Sequence, residues 1–335
     1  VSEMHFVDLC AGAGGLALGL EQAGFEPVLL LDKESAPCDT LRRNRPTWRT
    51  LQTDLLEFSP SRHKEIYDVD LLSAGLPRVK SSASVARTDT DAEMRLLEAT
   101  LYLVHSVQPR SLLIENVPGL VSAPAFEPIR DFIRVELEHL GYRFRWFVVN
   151  AADFGVPQDR KQGLLIALKG EHFGAFRPPE PMRQRLSVGQ ALHRSMAERG
   201  WRDADRWAAQ AVSVAPTLVG GSDRRGGADL GPTGTRRAWA RMGVDGSTVA
   251  DDVPGPDFVW APETGRHGMV KLTTDQAALL QGFPPDWEVA GRKTARYRQI
   301  GHASPPPVGK ALGSAIRAAL AAPGGTLADG YTSTP

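Results

Sequence analysis

Apolar residues along the first half of the chain gather in short continuous runs: His5–Asp8, Pro27–Asp32, Val69–Ser73, Ser111–Glu115 and Gly163–Ala167. Runs of this length, rich in Val, Leu and Ile, predict strands. Their lack of strict alternation predicts a mainly parallel sheet covered on both faces. Helical spacing intervenes, most clearly over residues 91–107, where Met94, Leu97, Leu101 and Val104 fall on one face. The alternation reads as βαβ units up to about residue 170. Beyond it, Arg177-Pro-Pro-Glu-Pro181 reads as a linker, and Val219–Val253, rich in Gly, Asp and Arg, predicts loops on a small second domain. A helical pattern returns from Leu272 to Leu280, and Pro307–Ala321 reads as a closing amphipathic helix. The expected organisation is an α/β domain made of residues 1–170 and 272–325, with residues 171–271 as the second domain.

A chain of 335 residues accommodates one large and one small core, and 42% hydrophobic with 23% charged residues excludes wholesale disorder. Lys+Arg and Asp+Glu both count 39. No global field then draws the protein to nucleic acid, so any DNA contact must come from a local patch. No apolar run approaches the roughly 20 residues of a membrane helix. The start, Val1–Asp8, lacks the basic and apolar regions of a signal peptide, so a cytoplasmic location with no membrane partner is expected. Only Cys10 and Cys38 are present, too few for a disulfide framework or a cysteine zinc site.

Candidate chemistry begins after the first strand. Phe6-Val-Asp-Leu-Cys-Ala-Gly-Ala-Gly-Gly-Leu16 is a strand running into a glycine-rich turn and a helix predicted from Leu16 to Ala23. Such a turn lets backbone approach a ligand and aims N–H groups at it. The second strand ends in Asp32, about 20 residues on, where nucleotide-binding α/β folds carry the acid that binds ribose hydroxyls. Asp54 follows the next short strand. No Lys-Ser/Thr pair follows the glycines, so the turn is not a triphosphate loop, and a nucleoside without a phosphate chain is expected.

Further segments continue the order: Leu76-Pro-Arg-Val-Lys-Ser-Ser82, Glu115-Asn-Val-Pro-Gly119, Gly155-Val-Pro-Gln-Asp-Arg160, Leu279-Leu-Gln-Gly-Phe-Pro284 and Arg298-Gln-Ile-Gly-His-Ala303. The series resembles the cytosine carbon-5 DNA methyltransferases over nearly the whole chain, apart from parts of residues 170–270. The resemblance implies a Rossmann-like S-adenosylmethionine-dependent methyltransferase fold with a small target-recognition domain. It implies a cofactor site of Asp8, Cys10, Ala11, Gly12, Gly14, Gly15, Leu16, Asp32, Asp54 and His302, with Asp32 on the ribose and Asp54 near the adenine. It also implies double-stranded DNA in the cleft, with the target cytosine flipped out of the stack. Glu115 would hydrogen-bond the cytosine edge, and Arg160 would contact base or phosphate.

One residue of the family pattern is absent. Carbon-5 of cytosine is a poor nucleophile until a group adds to carbon-6, and in this family a cysteine thiolate from a Pro-Cys pair does so. The matching pair here is Pro77-Arg78. A guanidinium offers no lone pair, so Arg78 closes the covalent route. Ser81 and Ser82 stand nearby, but a hydroxyl is a far weaker nucleophile. Cys10, Ser81, Gln162 and His302 also replace the family's Phe, Phe, Arg and Asn, as in a divergent member.

DNA contacts are expected from Arg224, Arg225, Arg236 and Arg237, in the loops 217–227 and 235–237, and secondarily from Arg241, Arg292, Lys293, Arg296 and Arg298. The expected function is DNA binding without covalent-route methylation, with S-adenosylmethionine as cofactor. The chain would serve as a regulatory subunit beside a methyltransferase or restriction partner. The alternative is an active enzyme using different chemistry or a nucleotide substrate.

Overall fold

The central strands are apolar on both faces because helices cover both. Every residue of β5 (Ser111–Asn116) is buried, as are the first four of β4 (Leu71–Gly75). The computed structural model describes residues 3–79, 87–220 and 227–322. Its first half runs β1 (Met4–Leu9), α1 (Gly15–Gln22), β2 (Phe25–Asp32), α2 (Ser35–Asn44), β3 (Thr50–Gln52), β4, α3 (Arg87–Val107), β5, α4 (Gly119–Ser122), α5 (Glu127–His139), β6 (Tyr142–Asn150), β7 (Gln158–Asp159) and β8 (Lys161–Lys169). Then follow α6 (Gly170–Phe173), α7 (Val188–Ala197), α8 (Ala204–Gln210), β9 (Ala215–Pro216), α9 (Thr233–Arg241), α10 (Thr274–Leu280), α11 (Lys293–His302) and α12 (Pro306–Ala321).

The main sheet has seven strands in the order β3-β2-β1-β4-β5-β8-β6. Pairs among β1 to β5 are parallel, whereas β8 runs antiparallel to both β5 and β6. Strand order reverses between β1 and β4, which opens the crevice at strand carboxyl ends where open α/β sheets bind ligands. β6 escapes the apolar-run rule because Tyr-Arg-Phe-Arg-Trp alternates with arginine, as suits an edge strand with a solvated face.

One cluster of buried side chains extends from Phe6, Leu30 and Ile166 through Leu312 and Ile316 of α12 to Leu192, Trp207 and Trp239. The other face, with Val7, Leu72, Leu112 and Ile114, is closed by Leu97, Leu101 and Val104 of α3 and Ile133 and Leu137 of α5. The closing helix α12 packs on α1 through Gly19, Gly309 and Gly313.

One loop expectation is corrected. Thr235-Arg-Arg237 lies on helix α9, whose only fully buried side chain is Trp239, so too few apolar positions remained to show a period. Among the described residues no helix is long and apolar enough to cross a membrane.

Candidate functional site

The glycine-rich turn is built by backbone conformations that few side chains tolerate. Gly12 (φ 55°), Gly14 (φ 82°) and the non-glycine Cys10 (φ 55°) all occupy the left-handed region. Asp32, at the end of β2, holds the turn in place: one carboxylate oxygen accepts from the Gly12 N–H at 2.8 Å and the other from Glu34 N–H at 2.9 Å. A second lone pair on each oxygen remains for a ligand.

Behind the turn, the β1–β4 register sets Asp8 opposite Ser73, and the Ser73 hydroxyl donates to Asp8 Oδ1 at 2.6 Å. Asp8 is fully buried and its Oδ2 has no partner. Burial pushes its pKa up to about 7, opposed by the Ser73 bond and reinforced by the Asp32 charge. Burial also raises Asp32. The Cys10 thiol is pushed up to about 12 by burial and then by the charges of Asp32, Asp8 and Asp54, so the three acids converge on one turn. Cys38 lies behind them, its thiol 3.6 Å from the Asp32 carbonyl and pushed up to about 11, mainly by burial. Neither thiol is ionised at neutral pH.

The C-terminal segment roofs the turn. Trp287 Nε1 donates to the Ala13 carbonyl at 3.0 Å, and a Cβ on Gly15 would stand 2.0 Å from the Ser304 carbonyl. His302, two residues earlier, is exposed, with its ring 3.0 Å from where a Gly220 Cβ would stand. The backbone carbonyl that meets the turn is that of Ser304.

A pocket of about 360 Å³ opens beyond the ends of β4 and β5, lined by Arg78, Glu115, Asn116, Asp159, Lys161 and Thr217 among others. Gly75 pairs in register with Glu115 and brings the two strand ends together. A Cβ there would lie 3.8 Å from the Cys10 carbonyl and 4.0 Å from the Glu115 carboxylate, so pocket and turn are neighbours. Asn116 clips the loop that carries Arg78: its Oδ1 accepts from Val79 N–H at 3.1 Å and Val117 N–H at 2.8 Å, and its Nδ2 donates to the Pro77 carbonyl at 3.2 Å. Arg78 is exposed at the pocket while Val79 is buried.

Glu115 is 7% exposed, and burial raises its pKa against the charge of Arg160, a hydrogen bond from Gln162 and the charge of Arg78. Arg160 is 1% exposed, which excludes a surface salt bridge. Its Nη1 donates to the Leu218 carbonyl at 3.0 Å, whereas Nε and Nη2 have no partner. Burial and then the Arg78 charge push Arg160 down to about 9, with Glu115 opposing. It stays charged at neutral pH.

Residues 4–318 match the model of the C-5 cytosine-specific DNA methylases. The chain belongs to that family. It is 42% identical to the type II methyltransferase M.NaeI of Lentzea aerocolonigenes over 96% of this chain and 76% of that protein. It is 39% identical to the type II methyltransferase M.NgoMIV of Neisseria gonorrhoeae, over 94% and 97% respectively. Among solved structures, a putative DNA modification methyltransferase of an E. coli prophage superposes with TM-score 0.64 at 19% identity, over 95% of this chain and 99% of that one. A Spodoptera frugiperda DNMT2 mutant superposes at 0.62 and 14%, over 95% and 100%. These last two likenesses establish the fold, an α/β methyltransferase architecture with a mixed sheet.

In this family member the structure brings Asp8, Cys10, Ala11, Gly12, Gly14, Gly15, Leu16, Asp32 and Asp54 around one turn, and Arg78, Glu115 and Arg160 around the adjoining pocket. The arginines expected on DNA separate. Arg224, Arg225, Ser81 and Ser82 lie outside the described residues. Arg236 is committed internally, to Asp229 at 3.2 Å and the Gly231 carbonyl at 2.8 Å, whereas Arg237 is exposed. Lys293 pairs with Asp251 at 2.5 Å and Arg296 pairs with Asp275, so both are partly neutralised.

Sequence reasoning missed the residues that join the parts. Gln158, fully buried, donates to the Leu280 carbonyl at 3.1 Å and to Gln281 Oε1 at 2.7 Å, and accepts from Leu218 N–H at 2.9 Å. Gln162 donates to Ser304 Oγ at 2.9 Å. The motifs Pro-Gln-x-Arg and Leu-Gln-Gly-Phe-Pro contained Gln158 and Gln281, but nothing local announces that the two glutamines meet.

Proposed function

We propose that this methylase homologue binds duplex DNA without methylating it by the covalent cysteine route, and serves as a regulatory or partner subunit of a modification system. The observation that carries the reading is Arg78 at the pocket mouth, on the loop clipped by Asn116, where the family's chemistry calls for a thiol. The two cysteines of the chain offer no substitute. Cys10 sits in the glycine-rich turn and Cys38 on α2 behind Asp32, and both thiols are held protonated.

The turn fits S-adenosylmethionine, a cation that carries an ammonium and a sulfonium. Three acids converge there, Asp8 keeps an unpartnered buried oxygen, and Asp32 keeps free lone pairs. Asp32 would hold the ribose hydroxyls, Asp54 would face the adenine side, and the backbone from Cys10 to Leu16 would line the chain of the cofactor. When bound, the cofactor supplies an electrophilic methyl group. The protein's part in the pocket is Glu115, whose raised pKa suits it to keep a proton and donate to the ring edge of an extruded cytosine. Without an adduct at carbon-6 that proton completes no transfer. Residues 171–271 would supply target recognition, with exposed Arg237 and Arg241 on α9 reaching DNA phosphates or guanine edges. The type II methyltransferase relatives support the assignment to DNA.

The test is incorporation of a radiolabelled methyl group into mixed-sequence duplex DNA by the unmodified protein and by Arg78→Cys, with calorimetric titration of S-adenosylmethionine and a gel-shift measurement of duplex binding. Duplex binding with no transfer by the unmodified protein is expected. Robust transfer would overturn the reading in favour of different chemistry at the same site. Gain of transfer in the cysteine variant locates the loss at residue 78, whereas no transfer in either points also to Cys10, Gln162 and His302.

A further inference from the structure

The pocket beyond β4 and β5 is lined by two cations, Arg78 and Lys161, and two acids, Glu115 and Asp159, with a third cation, Arg160, buried nearby. Arg78, exposed at its mouth, makes no ion pair within 4.0 Å among the described residues, and Lys161 lines the same wall. Arg160 stands behind, buried and charged, close enough to Arg78 for each to feel the other, with two N–H-bearing nitrogens unpartnered. Two acids oppose these three cations. Asp159 accepts from Asn150 Nδ2 at 2.7 Å, and burial favours the neutral form of Glu115. A buried guanidinium with unmade hydrogen bonds within electrostatic reach of a second guanidinium costs free energy, which a nearby anion recovers.

We propose that this pocket is an anion site that takes a phosphate group, its oxygens shared between the guanidinium of Arg78 and the ammonium of Lys161, with Arg160 supplying the charge behind. Phosphate suits the arrangement because its several oxygens accept from two donors at once, and a guanidinium fork matches two of them. A volume of about 360 Å³ exceeds what a bare phosphate needs and leaves room for an attached nucleoside. The phosphate comes either from a DNA backbone drawn into the pocket or from a free nucleoside monophosphate. The inference rests on the reading of Arg78 as a pocket residue in place of a thiol. It is tested by binding alone, so its outcome separates from that of the transfer assay.

The experiment is calorimetric titration of the full chain, at low salt, with inorganic phosphate, deoxycytidine, deoxycytidine 5′-monophosphate and a mixed-sequence duplex. It is repeated with Arg78→Gln, an exposed position where folding is checked by an unchanged melting temperature. Loss of one charge-assisted contact predicts a weakening of about 10- to 100-fold. The expected result is that the monophosphate binds at least about 10-fold more tightly than deoxycytidine, and that Arg78→Gln removes the difference. If instead only the duplex weakens in the variant, the phosphate is that of the DNA backbone and the site stands. Equal binding of nucleoside and nucleotide, with a duplex affinity indifferent to Arg78→Gln, overturns it. Phosphate binding through Arg78 in a protein that ignores duplex DNA would sink the proposed function and leave this inference intact.

Discussion

Asp8 offers the sharpest test of the glycine-rich turn, because the protein keeps a fully buried carboxyl with one oxygen unpaired. Raising its pKa from 3.8 to about 7 corresponds to about 4 kcal/mol of differential interaction between its two forms. The native state therefore binds more protons than the unfolded state between about pH 4 and pH 7. Stability from this group is fully present below pH 4 and is lost as pH rises through that window. In Asp8→Asn the amide oxygen still accepts from Ser73, while the amide nitrogen becomes a buried donor without a partner, at a pH-independent cost of about 1–3 kcal/mol. Urea denaturation of both proteins from pH 4 to pH 8 measures the difference. The variant should be the less stable at pH 4 and should close or reverse the gap by pH 8, as the unmodified protein loses up to about 4 kcal/mol relative to it. Glu115 is also raised, but it titrates in both proteins and cancels in the comparison, whereas Asp32 is coupled to Asp8 and its response is part of the measured difference. Parallel stability profiles across this range would refute the reasoning.

Asn116→Ala removes the three hydrogen bonds that clip the Pro77–Val79 loop and leaves a buried Val79 N–H, for an expected loss of about 2–3 kcal/mol in urea denaturation. Gly19→Ala would set a Cβ 2.4 Å from the Pro306 carbonyl and 2.6 Å from Lys310 N. Separation of α1 from α12 should cost about 1–3 kcal/mol despite the better helix propensity of alanine, lowering the melting temperature measured by calorimetry. Gln158→Ala should loosen residues 215–218 from β7, and limited proteolysis should cut there earlier while the main-sheet fragment persists. Retention of native protease resistance in that variant would mean that the short β7–β9 pairing holds the segment unaided.

The division between what is legible in the chain and what is not follows the range of the interactions. Strands β1, β2, β4, β5 and β8 were readable because burial on both faces leaves continuous apolar runs. The glycine turn and the acids at strand ends were readable because their spacing is local. Arg78, following Pro77, is legible as a single letter. β6 and α9 were not readable: one alternates with arginine at a sheet edge, and the other is anchored by one tryptophan.

By itself the sequence determined the α/β order, the family, the glycine-rich turn and the Pro77-Arg78 pair, since each depends on residues within a few positions of one another. Only the tertiary structure decided that Arg160 is buried beside Arg78, that Asn116 clips the Arg78 loop, and that Gln158 meets Gln281 from 123 positions away. It alone also decided that Arg236 and Arg296 are held in ion pairs. Charge balance and desolvation in a pocket are sums over groups brought together by folding, and no pattern along the chain contains them.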